Sequence, residues 1–407
     1  MAGLEARWHR GIAELPEAQW DDLLAAASAA PAPLPFYRWR WLSELERSGS
    51  IVPDQGWQSC PLTLWRGERL VAVAPLYLKG HSYGEFVFDQ SFAELAARLG
   101  QTYYPKLVGM SPLSPIEGYR FWIDPVEDQG AITAVMLELI DRFCDQHGIF
   151  SVNLLYVDPA WAPLAEAAGC SRWLNQQSTW SNPGFHDFDD YLASFNANQR
   201  RNIKRERRAV AAAGLVVTPL AGEAIPPALV DRMHDFYAMH CARWGPWGSK
   251  YLTDDFFKAA ARELRQHLVL FAAHPTGADP SDPLAMSLCV RGGTHLWGRY
   301  WGSAVELENL HFEVCYYAPI AWAIAEGIRH FDPGAGGSHK RRRGFVAEPR
   351  ISLHRWSDPR FAQILQQWLP GANEQMGQQI AAINAELPFT AAYDPPNVSA
   401  QPSTPEL

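Results

Sequence analysis

Along this chain the spacing of apolar residues switches between period two and period 3.6, and it does so in two successive rounds. That ordered switching restricts the fold more than any single motif. Residues 1–35 read as a short strand and a helix ending in the connector PAPLP, and a helix follows over 36–47. PLTLWRG and ERLVAVAPLYLKG then form a strand pair turning at Arg66-Gly67-Glu68, with Leu70 to Leu78 alternating as one half-buried strand. A helix is expected over 131–147, with Ile132, Val135, Met136, Leu139 and Phe143 on one face. The strand SVNLLYV, a short helix and the stretch from Trp173 to Trp180 close the round.

A helix over 189–213 leads into the second round. There the strand LVVTPL is followed by helices over 228–243 and 254–266, and then by the strand HLVLFAAH. PTGADPSDP reads as a hairpin tip between this strand and LAMSLCVRG, with THLWGRYWG as the next strand. A helix around 315–327, a short strand at 330–332 and the strand RISLHRW complete the order. The expectation is an α/β (α+β) chain of two tandem mixed-sheet domains, 1–188 and 214–385, joined by a basic linker helix, 189–213. The Pro-containing end, 386–407, is expected to be disordered.

At 407 residues the chain exceeds what one ordinary core supports. A net charge of −9 excludes a protein whose whole surface binds nucleic acid, and DNA is not an expected partner. The six cysteines are scattered, with no C-x-x-C pair, which suits a reducing compartment and argues against a structural zinc site; no metal is expected. The amino terminus carries charges and no apolar signal region, and no uncharged apolar run is long enough to span a bilayer. The expectation is a soluble cytoplasmic protein.

Four clusters could carry chemistry. In KGHSYGEFVFD, at the end of a buried-looking strand, His81 and Glu85 suit proton transfer or substrate binding; they would equally suit a solvated polar turn. Tyr103, Tyr104 and Lys106 lie downstream with the same two readings. The second cluster is Arg200, Arg201, Lys204, Arg205, Arg207 and Arg208, broken only by Glu206. On a helix, Arg200, Lys204 and Arg208 form one stripe that fits a polyanion, or else a solvated face. The third joins GRYWG, with Arg299, to HFEVCYY, where Glu313 is a candidate base and Tyr316 and Tyr317 candidate acids. Core tyrosines and a helix-start carboxylate would account for the same residues. The fourth runs from Asp332 through Gly334, Gly336 and Gly337 to Ser338, His339, Lys340, Arg341, Arg342 and Arg343. Its amides and cations suit a phosphate or an oxyanion, without the spacing of a nucleotide P-loop.

The strings PLYLKGHSYGEFVFD, YYPKL, DFDDYLASFNANQRRNIKRERR, YLTDDFF, GRYWG, LHFEVCYY and GAGGSHKRRRGF, in this order, resemble the bacterial peptidoglycan biosynthesis/recognition family. That family is grouped with FemAB-like proteins in the GNAT-like N-acyltransferase superfamily. The resemblance runs from about Pro35 to Phe361. It implies two tandem GNAT-like domains, an active cleft mainly in the second half, and transfer of an acyl or aminoacyl group to an amine. By position it implies substrate contacts from His81, Glu85, Lys106, Arg299 and His311, and catalytic roles among Glu313, Tyr316, His339 and Lys340. Arg200, Arg201, Lys204, Arg208 and Arg341 are assigned to phosphate. No tightly bound cofactor is implied; acyl-CoA or aminoacyl-tRNA would be the co-substrate. The partners would be a small-molecule or peptidoglycan-precursor substrate and, through the basic stripe, tRNA.

The chain departs from the family pattern at Gly336 and Ser338, where a Gln and a Glu are usual, and at Pro319, inside an expected helix. The pyrophosphate loop of ordinary GNAT acetyltransferases is absent before the Cys315 helix. An idle module that recognises a wall precursor is therefore the alternative to an acyltransferase, and RNA binding for its own sake is a third reading.

Overall fold

The computed structural model describes residues 3–28, 34–243 and 250–396. The chain divides into two compact units, Met1–Gln176 with Pro349–Gln378, and Gln177–Glu348 with Gln379–Leu407. The first unit carries β1 (Glu5–Trp8), α1 (Glu17–Ala27), α2 (Trp39–Arg47), β2 (Trp57–Ser59), β3 (Leu62–Arg66), β4 (Arg69–Ala74) and β5 (Tyr77–Lys79). It continues with α3 (Gln90–Arg98), β6 (Lys106–Gly109), β7 (Trp122–Ile123), α4 (Gln129–His147), β8 (Ser151–Val157) and α5 (Ala162–Ala167). Strands β1-β3-β4-β7 form one sheet, while β8, β6, β5 and β2 are neighbours in another.

The strand expected over Leu70 to Leu78 is in fact two. β4 pairs with β3 and β7, whereas β5 pairs with β2 and β6. Pro75 lies between them. Lacking an N–H, it cannot extend the ladder, and the chain changes sheets there. α4 forms as expected: Asp128 caps it by accepting from the Ala131 amide at 2.9 Å, and Gly148 ends it in the left-handed region. Its buried face is Ile132, Met136, Leu137, Ile140 and Cys144, while Val135, Leu139 and Phe143 sit on the flank.

The second unit contains the end of β9 (Ser171–Ser181), from Gln177 on, then α6 (Phe188–Ala193), α7 (Ala197–Ala212), β10 (Leu215–Ala221), α8 (Pro227–Ala242), α9 (Asp254–Ala259) and β11 (Leu268–Pro275). β12 (Ala285–Gly292), β13 (His295–Ser303), α10 (Leu310–Phe312), α11 (Ala318–Ala325) and β14 (His330–Asp332) follow, and the chain returns through β15 (Val346–Trp356) and α12 (Pro359–Ala385). Its strands run β10-β11-β12-β13-β14-β9, antiparallel except for β13 with β14. The core packs Phe271, Val314, Ile320, Phe331 and Phe345 against the sheet and its helices.

Three expectations about the organisation are corrected. The linker helix is two helices broken at Ser194–Asn196, and neither is a free connector. Tyr191, Leu192, Phe195, Ile203 and Val210 are core residues of the second unit, and Asn196 caps α7. The expected disordered tail is ordered where it is described. The Thr390 amide donates to the Ser194 carbonyl at 2.8 Å, and Phe389 packs on Phe195. Apolar Phe389 and Tyr393 outweigh the prolines there, and residues 397–407 lie outside the described residues. Finally, α12 was not anticipated. Phe361, Leu365 and Leu369, on one helical face, pack with Phe92, Tyr103 and Phe150, so the first unit takes back Pro349–Gln378, which the sequence assigned to the second domain.

A π turn, Glu313–Tyr317, separates α10 from α11. Pro319 lies two residues after it, in the first turn of α11. A proline inside a helix removes one hydrogen bond and pushes on the preceding turn, and a widened turn accommodates both effects. The helix therefore begins at Leu310, earlier than expected.

The ordered end makes a measurable contribution. Phe389→Ala should lower unfolding free energy by about 1–2 kcal/mol in urea titration, whereas a disordered tail would give no change.

Candidate active site

In the second unit, α7 presents its Arg200, Lys204 and Arg208 stripe outward, and the residues off that stripe turn inward. Arg207 donates through Nε and Nη2 to both oxygens of Glu313, at 2.9–3.1 Å. Glu206 accepts from Arg343 Nη2 at 2.7 Å and from the Tyr317 hydroxyl. Arg343 is 1% exposed, and its guanidinium lies 3.4 Å from the Phe312 ring centroid. It also donates to the His339 carbonyl at 2.8 Å, while its own carbonyl accepts from the Tyr191 hydroxyl. Two acidic–basic pairs thus fix the segment Ser338–Arg343 and the π turn to α7.

That scaffold positions a small group of titratable side chains. His339 Nε2 and the Tyr316 hydroxyl are 2.8 Å apart. The imidazole folds over Gly337, where a Cβ would stand 2.9 Å from His339 Cε1 and where φ is +89°, so only glycine suits. Burial, and then the charges of Arg343 and Lys340, hold His339 below its ordinary value, while burial pushes the Tyr316 phenol up. The ring is consequently neutral near pH 7. Lys340 is buried and donates to the Gly334 carbonyl. Burial lowers it to about 8, with Asp332 opposing the shift. His311 packs on Trp301 with ring centroids 4.5 Å apart and lies 5.5 Å from His339; burial holds it at about 3. Arg299 is half-buried on β13, just beyond the point where the three-residue ladder with β14 ends at Trp297 and Asp332.

Several sequence assignments change here. Glu313 is not a free base, because both its oxygens are held by Arg207. Tyr317 serves Glu206. Arg341, expected on phosphate, pairs with Glu386, and Arg343 is consumed in the core. Of the four consecutive cations, Arg342 alone is exposed and without an ion pair among the described residues. Arg200, Arg201, Lys204, Arg205 and Arg208 likewise have no acidic partner among the described residues. The inward pair Glu206–Arg207 was missed, although its signal was present: both residues fall off the i, i+4 stripe.

In the first unit, His81, Glu85 and Lys106 do come together, but around a buried charge cluster. Lys106 Nζ donates to Glu85 at 2.7 Å, to Ser82 at 2.8 Å and to Asp89. Tyr103 donates to Asp89 at 2.7 Å. Burial pulls Lys106 down, but the two carboxylates outweigh it and its value rises; Asp89 falls, because Lys106 outweighs burial. Glu85, fully buried, is pushed up to about 7. Lys79 lies 3.6 Å from the Trp57 ring centroid and donates to the Tyr83 carbonyl; burial lowers it to about 7. His81 stays half-buried at the rim, its Nδ1 accepting from the Tyr83 amide. Lys79 and Asp89 were not singled out in the sequence. Among the described residues, no group of three His, Cys, Asp or Glu side chains could hold a metal, and no helix is long and apolar enough to cross a membrane.

Comparison with known proteins places these units in context. The FemAB-like family model, described as peptidoglycan biosynthesis/recognition, matches residues 11–391. No curated protein matches the sequence. Among solved structures, FemX is similar at 11% identity and TM-score 0.51, covering 89% of this chain and 100% of that one. A tandem GNAT protein from the clavulanic acid biosynthesis pathway aligns at 13% identity and TM-score 0.46, covering 88% and 99%. The C-terminal domain of a putative lysylphosphatidylglycerol synthetase from Agrobacterium fabrum aligns at 10% and 0.48, covering 88% and 96%. At 11% identity the likeness to FemX speaks for the fold alone, a mixed α/β chain with mixed sheets.

The first-unit cluster makes two predictions. Lys106→Met leaves two buried carboxylates unpaired and should cost about 3–5 kcal/mol in urea unfolding; a loss below 1 kcal/mol would mean the cluster is hydrated. Lys79 is lowered to about 7 in the folded chain and titrates at about 10.4 when unfolded. Between those values the unfolded chain binds more protons, so stability rises with pH. Lys79→Met should flatten that rise, and an unchanged slope would contradict it.

Proposed function

The chain belongs to the FemAB-like family of peptidoglycan biosynthesis and recognition, and from that premise we propose that it transfers an acyl or aminoacyl group to an amine of a peptidoglycan precursor. The observation that carries the reading is the 2.8 Å pairing of His339 Nε2 with the Tyr316 hydroxyl beside buried Lys340. A neutral imidazole has one donor and one acceptor nitrogen. When Nε2–H donates to the Tyr316 oxygen, Nδ1 is left as the acceptor.

In this reaction the acceptor nitrogen attacks the carbonyl carbon of a thioester or ester while His339 Nδ1 takes its proton. The C–N bond forms and the C–S or C–O bond breaks. The proton returns from His339 to the leaving thiolate or alkoxide. Lys340, cationic below about 8, offsets the negative charge that develops on the carbonyl oxygen. Arg299 and His311 contact substrate from β13 and α10. Glu313, held by Arg207, fixes the π turn in place of acting as the base. The donor is acyl-CoA or aminoacyl-tRNA, and a cytoplasmic site of action suits either.

The test is direct incubation with acyl-CoAs, charged tRNAs and amine-bearing wall precursors, with product mass as the readout. A mass increase matching one acyl or aminoacyl group is expected; an unchanged precursor mass with every donor would leave precursor recognition as the function. His339→Ala should lower kcat by about 10²–10⁴, with the fold retained. Because His339 sits below its ordinary value, the acid limb of kcat/KM should have its midpoint under pH 6.5. Wild-type rates in His339→Ala would reject this centre.

A further inference from the structure

A groove of about 710 Å³ lies between α7, α11 and β10 in the second unit. Its walls are strongly apolar: Leu215 and Val217 from β10, and Ala318, Ala321 and Trp322 from α11. β10 is the outer strand of the unit's sheet order and pairs with β11. Its Val216 is 41% exposed. Lys204 and Arg208 line the same groove, neither with an acidic partner among the described residues, and Arg201 and Arg205 extend the charge along α7. Asp189 is the opposing exposed acid, while Arg207 and Glu313 neutralise one another within the wall.

A nucleic-acid backbone would use the cations and leave a hydrocarbon-lined trough unfilled. A phosphate attached to an acyl chain uses both. A half-buried tryptophan at the trough also fits the apolar–polar boundary of a bilayer. We infer that the α7–α11 groove is a docking site for anionic phospholipid at a membrane surface, with the acyl chain in the trough and the phosphate on Lys204 and Arg208. This places peripheral attachment in the second unit and is independent of the transfer reaction.

The test is co-sedimentation of the full chain with vesicles of phosphatidylglycerol mixed into phosphatidylcholine, against phosphatidylcholine alone. The chain should sediment with the anionic vesicles and not with the neutral ones. Lys204→Glu with Arg208→Glu should weaken binding about thirtyfold or more, and high salt should do the same. Ala321→Glu, which fills the trough, should also release the protein; Val216→Asp, at an exposed position, does so without burdening the core. Equal binding to both vesicle types overturns the inference. So does binding that survives both trough substitutions, which would mark a merely charged surface. Loss of tRNA binding in the charge-reversed variant, with vesicle binding unchanged, would assign the stripe to nucleic acid and reject the lipid.

Discussion

The candidate centre depends on one buried guanidinium. Arg343 is inside the second unit, and three of its relationships fix three separate pieces of chain: Glu206 on α7, the ring of Phe312 in α10, and the carbonyl of His339. A buried cation is tolerable only when it is paired and hydrogen-bonded. Glu206 supplies the opposite charge, and Phe312 offers the face of an aromatic ring. The arrangement determines where His339 can be, because residues 339 and 343 lie in the same short 3-10 segment. It also lowers the affinity of His339 for a proton, since Arg343 adds its charge to the effect of burial. Scaffold and electrostatics therefore have a common origin.

The second acidic–basic pair has a different consequence. Arg207 holds Glu313 with three contacts and anchors the π turn that carries Tyr316 and Tyr317. The wide turn, required next to Pro319, separates the roles of neighbouring tyrosines: Tyr316 meets His339 and Tyr317 meets Glu206. A regular helix carrying the same letters would aim these side chains differently. π turns recur at functional positions for this reason.

Much of this was legible from the letters. The order of most strands and helices, the hairpin at Arg66-Gly67-Glu68 and the helix over 131–147 follow from period and turn chemistry, and the grouping of His339, Lys340 and Tyr316 from the family resemblance. What was not legible depended on tertiary pairing. A glutamate at a helix start and a run of arginines read as catalytic base and phosphate cradle, because sequence gives charges without partners. Only the fold reveals that Glu313 is occupied by Arg207 and Arg341 by Glu386. The break at Pro75 was written in the sequence and was overridden by a continuous apolar pattern across two strands. α12 escaped notice because its apolar residues are sparse among Gln and Ala, and its face is defined by what it covers.

The central claim is that His339 is a neutral base whose Nε2 proton is directed at Tyr316. Nitrogen-15 NMR of histidine-labelled protein reads both features in one titration. At pH 7 the account predicts a neutral His339 with the proton on Nε2, charging only below pH 6.5, and a loss of that tautomeric preference in Tyr316→Phe. A His339 that is imidazolium at pH 7, or neutral with its proton on Nδ1, would contradict it.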